Sequence, residues 1–466
     1  RRIEMKSKPI PSRDLKIFVI SDKKTLKHAI KKIDSNNLGF VLTCDEKNSI
    51  NGFITDGDVR RALIKDPSLD QNVSGFSNKE FIFAHKDSSR ESILKLLDSN
   101  IAAVPVLDEK NQLVEIVTKN SIPLIEESEV YANSRSPVRM SFGGGGSDLT
   151  HFFNEHEGAV INITISLYSH AFLRKRNDKK IYIKSADLKS EITANDLEDL
   201  FSKDSKFGLI ISVIKSIEPD FGFDLYLNSD YPINSGLGGS AVISSAVIGC
   251  FNQFRTDKWD DHEIAELAYE AERILFNISG GWQDQYATVF GGFNFMEFRK
   301  EQNIVHPLRL NKNVINELQE CLVLCGTNSS HDSGAIHEDQ KASSEAKDIK
   351  EIINESVDLA YETRNALLKG NLQKFGENLH KAWNLKRKVA STISNSYLDE
   401  IYNGAISNGA VGGKLLGAGG GGFFIFYVEP SNKFDLVEYL NTQKLSVTNF
   451  NFDFDGLQSW SVRKKN

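Results

Sequence analysis

Three glycine-rich segments, set in order along the last two thirds of the chain, limit what it can fold into more than any other feature. The first runs Ser136-Pro-Val-Arg139-Met-Ser-Phe-Gly143-Gly-Gly145-Gly146-Ser147-Asp148, a strand-like start opening into four glycines and an acid. The second is Pro232-Ile-Asn-Ser235-Gly236-Leu237-Gly238-Gly239-Ser240-Ala241, followed by small and apolar residues from Val242 to Phe251. The third, Gly412-Gly-Lys-Leu-Leu-Gly417-Ala-Gly-Gly420-Gly-Gly422, feeds the apolar run Phe423 to Phe426. Glycine lets backbone N–H groups turn inward and lets a ligand approach the main chain closely. A helix beginning near Ser240 adds its positive end, so the second segment reads as a cradle for phosphates. It is neither a Walker A loop, which needs Gly-Lys-Ser/Thr, nor the Gly-x-Gly-x-x-Gly dinucleotide fingerprint. Taken singly, each segment also suits a structural turn or a flexible loop. In the first, Asp148 can accept hydrogen bonds from vicinal hydroxyls.

At 466 residues the chain is long enough for two or three domains, each with its own core. With 56 Lys+Arg against 63 Asp+Glu, it has no basic excess of the kind that marks a nucleic-acid binder. The longest apolar stretches, such as Gly421 to Val428, fall far short of the roughly 20 residues needed to span a bilayer. No signal-peptide pattern opens the sequence, so a cytoplasmic protein is expected. Its four cysteines, Cys44, Cys250, Cys321 and Cys325, sit in apolar segments and read as reduced core residues. Cys321 and Cys325 bracket a strand-like run with no His/Cys pair to complete a metal site. The chain begins with Arg1 rather than Met, as a portion of a longer product would.

The front of the chain carries an approximate internal repeat. Leu26 to Ile33 has helical apolar spacing, and strands are expected at Gly39 to Thr43 and Gly52 to Thr55 around a polar turn. About sixty residues on, the order recurs as a helix at Ser89 to Leu97 and strands at Ala102 to Leu107 and Leu113 to Thr118. Neither copy can bury its own face, so the two should pack together. This arrangement resembles a CBS-domain pair, on the strength of Gly52-Phe-Ile-Thr55-Asp-Gly-Asp58 and its weaker counterpart Thr118-Lys-Asn-Ser121. The resemblance implies an adenine nucleotide in the cleft, with Thr55 near phosphate and Asp58 on the ribose. Ser121 replaces the second acid, which leaves at most one such site. A packing or dimerisation element without ligand, building a homodimer, is the equal alternative.

A polar, acidic linker is expected at 127–133, with an α+β remainder and two helices at Ser356 to Leu368 and Leu372 to Val389. The order of the three glycine segments resembles the signature motifs of the GHMP kinases, over about residues 134 to 460. That resemblance implies a two-lobed kinase with lobes at 134–310 and 311–466 behind the module at 1–126, using ATP and Mg²⁺. Within the family, Ile163 to Tyr168, Gly280 to Tyr286 and Gly291 to Phe298 are most similar to the branch acting on the anomeric hydroxyl of a heptose 7-phosphate. Fucose or another unphosphorylated sugar is the alternative acceptor, and a catalytically silent sugar or nucleotide sensor is the rival from another class.

Site residues follow from both lines of reasoning. At about 100° per residue, a helix from Asp261 to Ile278 puts Ile264, Leu267, Ala268, Ala271, Ile274 and Leu275 on its apolar side. Glu272 then borders that side, while Glu266, Glu270 and Arg273 point away. The resemblance makes Glu272 and Ser240 the Mg²⁺ ligands, a carboxylate plus a hydroxyl that suits a hard cation. It makes Asp284, in the turn after Gly280-Gly281, the acid that takes or orients the acceptor proton, with Arg139 stabilising that acid or the transferring group. The loop residues Ser235 to Ala241 are the nucleotide contacts. Gly145, Gly146, Ser147, Asp148, Trp282, Gln283 and Gly420 are expected at the substrate. A substrate phosphate needs its own cations, for which Arg174, Arg176 and Lys184 are candidates beside the hydroxyls of Ser329 and Ser330.

Overall fold

The computed structural model describes residues 12–98, 101, 103–119, 130–233, 235–329 and 347–463, and the chain divides into two compact units, Arg1–Glu127 and Ser128–Asn466. In the first unit the repeat is realised twice. Strand Val19–Ser21 runs parallel to Phe40–Cys44, which pairs antiparallel with Ile50–Thr55. In the second copy Ala84–His85 runs parallel to Ala103–Leu107, which pairs antiparallel with Leu113–Thr118. Helix Leu26–Asn36 buries Leu26, Ala29 and Ile33, the helical stripe legible in the sequence. The copies pack as expected: Phe18, Phe40, Leu42 and Ile50 of the first share one apolar cluster with Ala103, Leu107 and Ile116 of the second.

The second unit is built on two sheets with helices against them, an α+β architecture. The larger has nine strands around the long pair Val130–Gly143 and Gly158–Lys175. Val130–Gly143 pairs along one edge of Gly158–Lys175, and Phe223–Ser229 and Phe293–Arg299 share its other edge, against residues 169–175 and 158–163 respectively. The smaller sheet is antiparallel, in the order Ala410–Leu415, Phe423–Val428, Leu322–Gly326, Ser446–Thr448. One apolar cluster joins them, running from Val138, Met140 and Ile161 through Phe375 to Leu322 and Ile425. Helix Gly239–Asn252 is apolar nearly all round and is buried accordingly behind the large sheet.

Two expected boundaries shift. Residues 130–133, assigned above to the linker, are strand, because they pair with Trp460 to Arg463 more than three hundred positions downstream. For the same reason a lobe running unbroken from 311 to 466 does not describe the sheets: Phe452–Asp453 and Gln458–Arg463 return to the larger one. Such partners leave no local signature, whereas the helices Lys347–Leu368 and Leu372–Val389 show theirs in their own periodicity. All four cysteines are free and buried. Among the described residues no helix is long and apolar enough to cross a membrane.

Candidate active site

All three glycine segments line one cavity of about 450 Å³ in the second unit. Gly143 to Gly146 and Asp148 come from the first, Ser235, Gly236 and Gly238 to Ser240 from the second, Gly417 and Ala418 from the third. Two of the loops touch backbone to backbone. Gly417 has φ +71°, and a Cβ there would lie 2.4 Å from the Gly236 Cα, so no side chain fits between them. The Gly239–Asn252 helix starts from Gly238 at φ 81° with no side-chain cap, which leaves its first-turn amides to face the cavity.

The acids meet at this helix start. Asp284 lies in the first turn of helix Gln283–Phe290 rather than in the preceding loop. Its Oδ1 accepts from Arg139 Nε at 2.8 Å and lies 2.7 Å from Arg139 Nη2, while Arg139 Nη1 donates to the Gly236 carbonyl at 3.0 Å. Oδ2 of Asp284 faces Gly238. Asp148 is buried. Its carboxylate accepts from the amides of Gly146 and Gln283, both at 3.2 Å, and a Cβ on Gly281 would meet it at 1.9 Å. Burial first, and the neighbouring Asp284 second, push the Asp148 carboxyl above the usual carboxylate range.

The expected helix 261–278 is only half right. Asp261–Tyr269 is α-helical behind an Asp260/Glu263 capping box, and Glu270–Leu275 widens into a π-turn. An α-helical projection fails beyond such a turn. Ile274 is 68% exposed and Leu275 is also exposed, whereas Arg273 turns inward, lines the cavity and donates to the carbonyls of Ile278 and Ser279. Glu272 is wholly buried, as expected. Its Oε2 accepts from Gln285 Nε2 at 2.5 Å, and its Oε1 has no hydrogen-bond partner, with Arg273 Nη1 3.8 Å away. Glu272 does not line the cavity that Ser240 lines, and its Oε1 faces the Arg273 guanidinium; a buried carboxylate oxygen with no hydrogen-bond partner among the described residues is a donor that a hard cation would take.

Several expected contacts stand behind the lining. Leu237 and Ala241 are buried outside it. Ser147 Oγ donates to the carbonyls of Gly144 and Ala159, fixing the first loop. Trp282 stacks on Tyr269 at 3.5 Å and bonds Thr150, so it holds the turn while Gln283 lines the cavity. The amide of Gly420 donates to Ile393. Arg174 and Arg176 both bind Asp224, away from the cavity, Lys184 is exposed, and Ser329 bonds Thr327. The substrate-phosphate pocket expected there does not form, because the neighbouring strand supplies its own counter-charge; Ser330 lies outside the described residues. Among the described residues, the cations that line the cavity besides Arg139 and Arg273 are Lys206, Lys386 and Lys414. Lys414 stood inside the third glycine motif, a signal that went unused. Lys386 sits among other basic residues at the end of its helix, with nothing local to single it out. Leu188, Ile210, Leu227, Ile243 and Phe276 also line the cavity and form an apolar surface suited to a flat base.

In the first unit Thr55 and Asp58 bind each other. Thr55 caps helix Asp56–Lys65, its hydroxyl 3.2 Å from the Asp58 amide, and Asp58 accepts from the Thr55 amide and hydroxyl at 2.8 and 2.7 Å and pairs with Arg61. Burial opposes ionisation there, yet these hydrogen bonds hold the Asp58 carboxyl below its ordinary value. Ser121 lies outside the described residues.

The family models cover the second and third glycine segments and the front repeat. Residues 208–292 match the GHMP kinases N terminal domain, 363–443 the GHMP kinases C terminal domain, and 7–65 and 73–122 the CBS domain. Over 335 residues the chain is 37% identical to D-glycero-alpha-D-manno-heptose 7-phosphate kinase of Campylobacter jejuni, covering 71% of this chain and 98% of that protein. It is 26% identical to L-fucokinase/L-fucose-1-P guanylyltransferase of Bacteroides fragilis, across 66% of this chain and 36% of that one. The crystal structure of a D-glycero-D-manno-heptose 1-phosphate kinase from Bacteriodes thetaiotaomicron superposes with TM-score 0.60 at 30% identity, covering 72% of this chain and all of that one.

Proposed function

Because the chain belongs to the GHMP kinases, an ATP-dependent family, we propose that it phosphorylates the anomeric hydroxyl of D-glycero-D-manno-heptose 7-phosphate. The observation that carries this reading is the Asp284 carboxylate, gripped by Arg139 and set against the uncapped start of the Gly239–Asn252 helix. The base of ATP packs on the apolar wall of Ile210 and Phe276, and its phosphates lie along Gly238 to Ser240. The acceptor hydroxyl points at Asp284, which orients it in line and takes its proton as the new O–P bond forms and the bond to the departing ADP breaks. Arg139 offsets charge on Asp284 and on the group in flight. Asp148, Gln283 and Gly146 hold sugar hydroxyls. Ser240 and Glu272 would hold Mg²⁺, which when bound neutralises phosphate charge. The reduced, buried cysteines suit a cytoplasmic setting.

The test is a panel of sugars and sugar phosphates with ATP, the product identified by phosphorus NMR. Heptose 7-phosphate should give the highest kcat/KM and a 1,7-bisphosphate. A higher kcat/KM with fucose or another unphosphorylated sugar would replace the acceptor, and absence of turnover with every sugar would leave a sensor. For the front unit we propose one adenine-nucleotide site at Thr55 and Asp58, for which their mutual bonds would have to open.

A further inference from the structure

Lys414 is only 4% exposed and lines the cavity; its backbone pairs with Ile425 in the small sheet, but its ammonium makes no hydrogen bond or ion pair with any described residue. Lys386 lies in the same wall, on helix Leu372–Val389, and donates to the carbonyls of Leu415 and Gly417 at 3.0 and 2.5 Å. An ammonium has three donors, so Lys386 keeps one to spare. The lining carboxylates are engaged elsewhere: Asp284 with Arg139, Asp187 with Ser229, Asp148 with backbone amides. A buried ammonium without a counter-charge is costly, and proteins retain one where a ligand supplies the missing charge.

We infer that Lys414, with Lys386 positioning the third glycine loop beside it, receives a phosphate dianion, and that this phosphate is the one the acceptor sugar already carries. The inference rests on the sugar-phosphate reading above and names the group that selects for it. The nucleotide phosphates have their own cradle in the amides at Gly238 to Ser240. A sugar phosphate needs a second receptor, and Arg174 and Arg176 do not serve because they lie outside the cavity, paired with Asp224 and Asp178. Burial, then the neighbouring charges of Lys414 and Arg139, hold Lys386 well below the ordinary lysine value, and burial and Arg139 lower Lys414 to about 7. An incoming dianion reverses that balance and keeps the ammonium charged.

The experiment compares the full-length protein with Lys414→Met, using heptose 7-phosphate and unphosphorylated heptose as acceptors. Loss of one charge-assisted contact should lower the preference for the phosphorylated sugar by about 10- to 100-fold in kcat/KM, with the KM for ATP within about twofold of wild type. A rise in the KM for ATP with no change in that preference assigns the lysine to the γ-phosphoryl group and overturns the inference, and so does an unchanged preference with unchanged KM values. Calorimetry with inorganic phosphate separates this from the choice of sugar. With the nucleotide cradle filled by a saturating non-hydrolysable ATP analogue, phosphate should bind the wild-type chain and bind Lys414→Met at least tenfold more weakly, whatever sugar proves to be the acceptor. Equal binding to both proteins refutes the site even where the kinase reading stands.

Discussion

Replacing Lys414 by methionine should make the protein more stable, by an amount that depends on pH. The folded chain holds this lysine at a pKa of about 7 against an ordinary 10.5. At roughly 1.4 kcal/mol per tenfold change in proton affinity, that depression corresponds to a cost of up to about 5 kcal/mol. The unfolded chain binds the proton more tightly. The cost is therefore fully present below pH 7, shrinks as pH rises from 7 to 10.5, and is gone above. Methionine has similar length and fills the same slot without a charge to desolvate, at a packing change of under about 1.5 kcal/mol. The charges facing the site are Lys386 and Arg139, both cationic, so removing the ammonium breaks no ion pair. Denaturant unfolding of wild type and variant at pH 6.5 and at pH 10, without phosphate in the buffer, reads the difference. The variant should gain several kcal/mol at the lower pH and much less at the higher. A loss of stability at pH 6.5, or a gain equal at both pH values, would refute the argument that desolvation of this ammonium dominates.

Asp284→Asn should lower kcat by about three orders of magnitude or more with the KM for ATP nearly unchanged, because the acid acts on the acceptor; steady-state kinetics with residual kcat near wild type would remove it from that role. Glu272→Gln should raise the Mg²⁺ concentration for half-maximal rate, and an unchanged metal titration would reduce Glu272 to an anchor for Gln285. Asp58→Ala should weaken the helix cap by about 1 kcal/mol and abolish binding of AMP, ADP or ATP to the full chain at the front unit, read by calorimetry on a background of Asp284→Asn. Nucleotide heats assigned to the front unit that survive the change would move the site elsewhere.

Much of the site was legible because glycine loops constrain the backbone wherever they occur. Gly236, Gly238, Gly417, Asp148, Ser240 and Asp284 all reach one cavity wall, although the loops lie far apart in the chain. What stayed hidden depends on geometry that local sequence does not encode. The π-turn at Glu270–Leu275 re-aims Arg273 inward and Ile274 outward, and nothing in a 100° projection announces the change of pitch. The basic cluster at Arg174 looked available for phosphate because its partner, Asp224, lies on another strand fifty positions away. Lys386 was hidden by the opposite effect: a lysine in an amphipathic helix normally points to water, and only the third glycine loop draws this one inward.

The charges of this cavity are set against one another in a way that stability alone would not select. Asp148 is pushed toward its neutral form by burial and by Asp284, while Lys386 and Lys414 are pushed toward theirs by burial and by Arg139. Arg139, bonded to Asp284 and to the Gly236 carbonyl, acts electrostatically on all three of these groups. An apolar residue at 414, whose ammonium has no partner among the described residues, would fold more stably. The present arrangement becomes favourable only when hydroxyls approach the acids and phosphate approaches the lysines. A sugar bearing a phosphate at one end and a reactive hydroxyl at the other meets both demands in one molecule. A free sugar satisfies only the acids, so the lysine pair converts a stability cost into discrimination between the two acceptors.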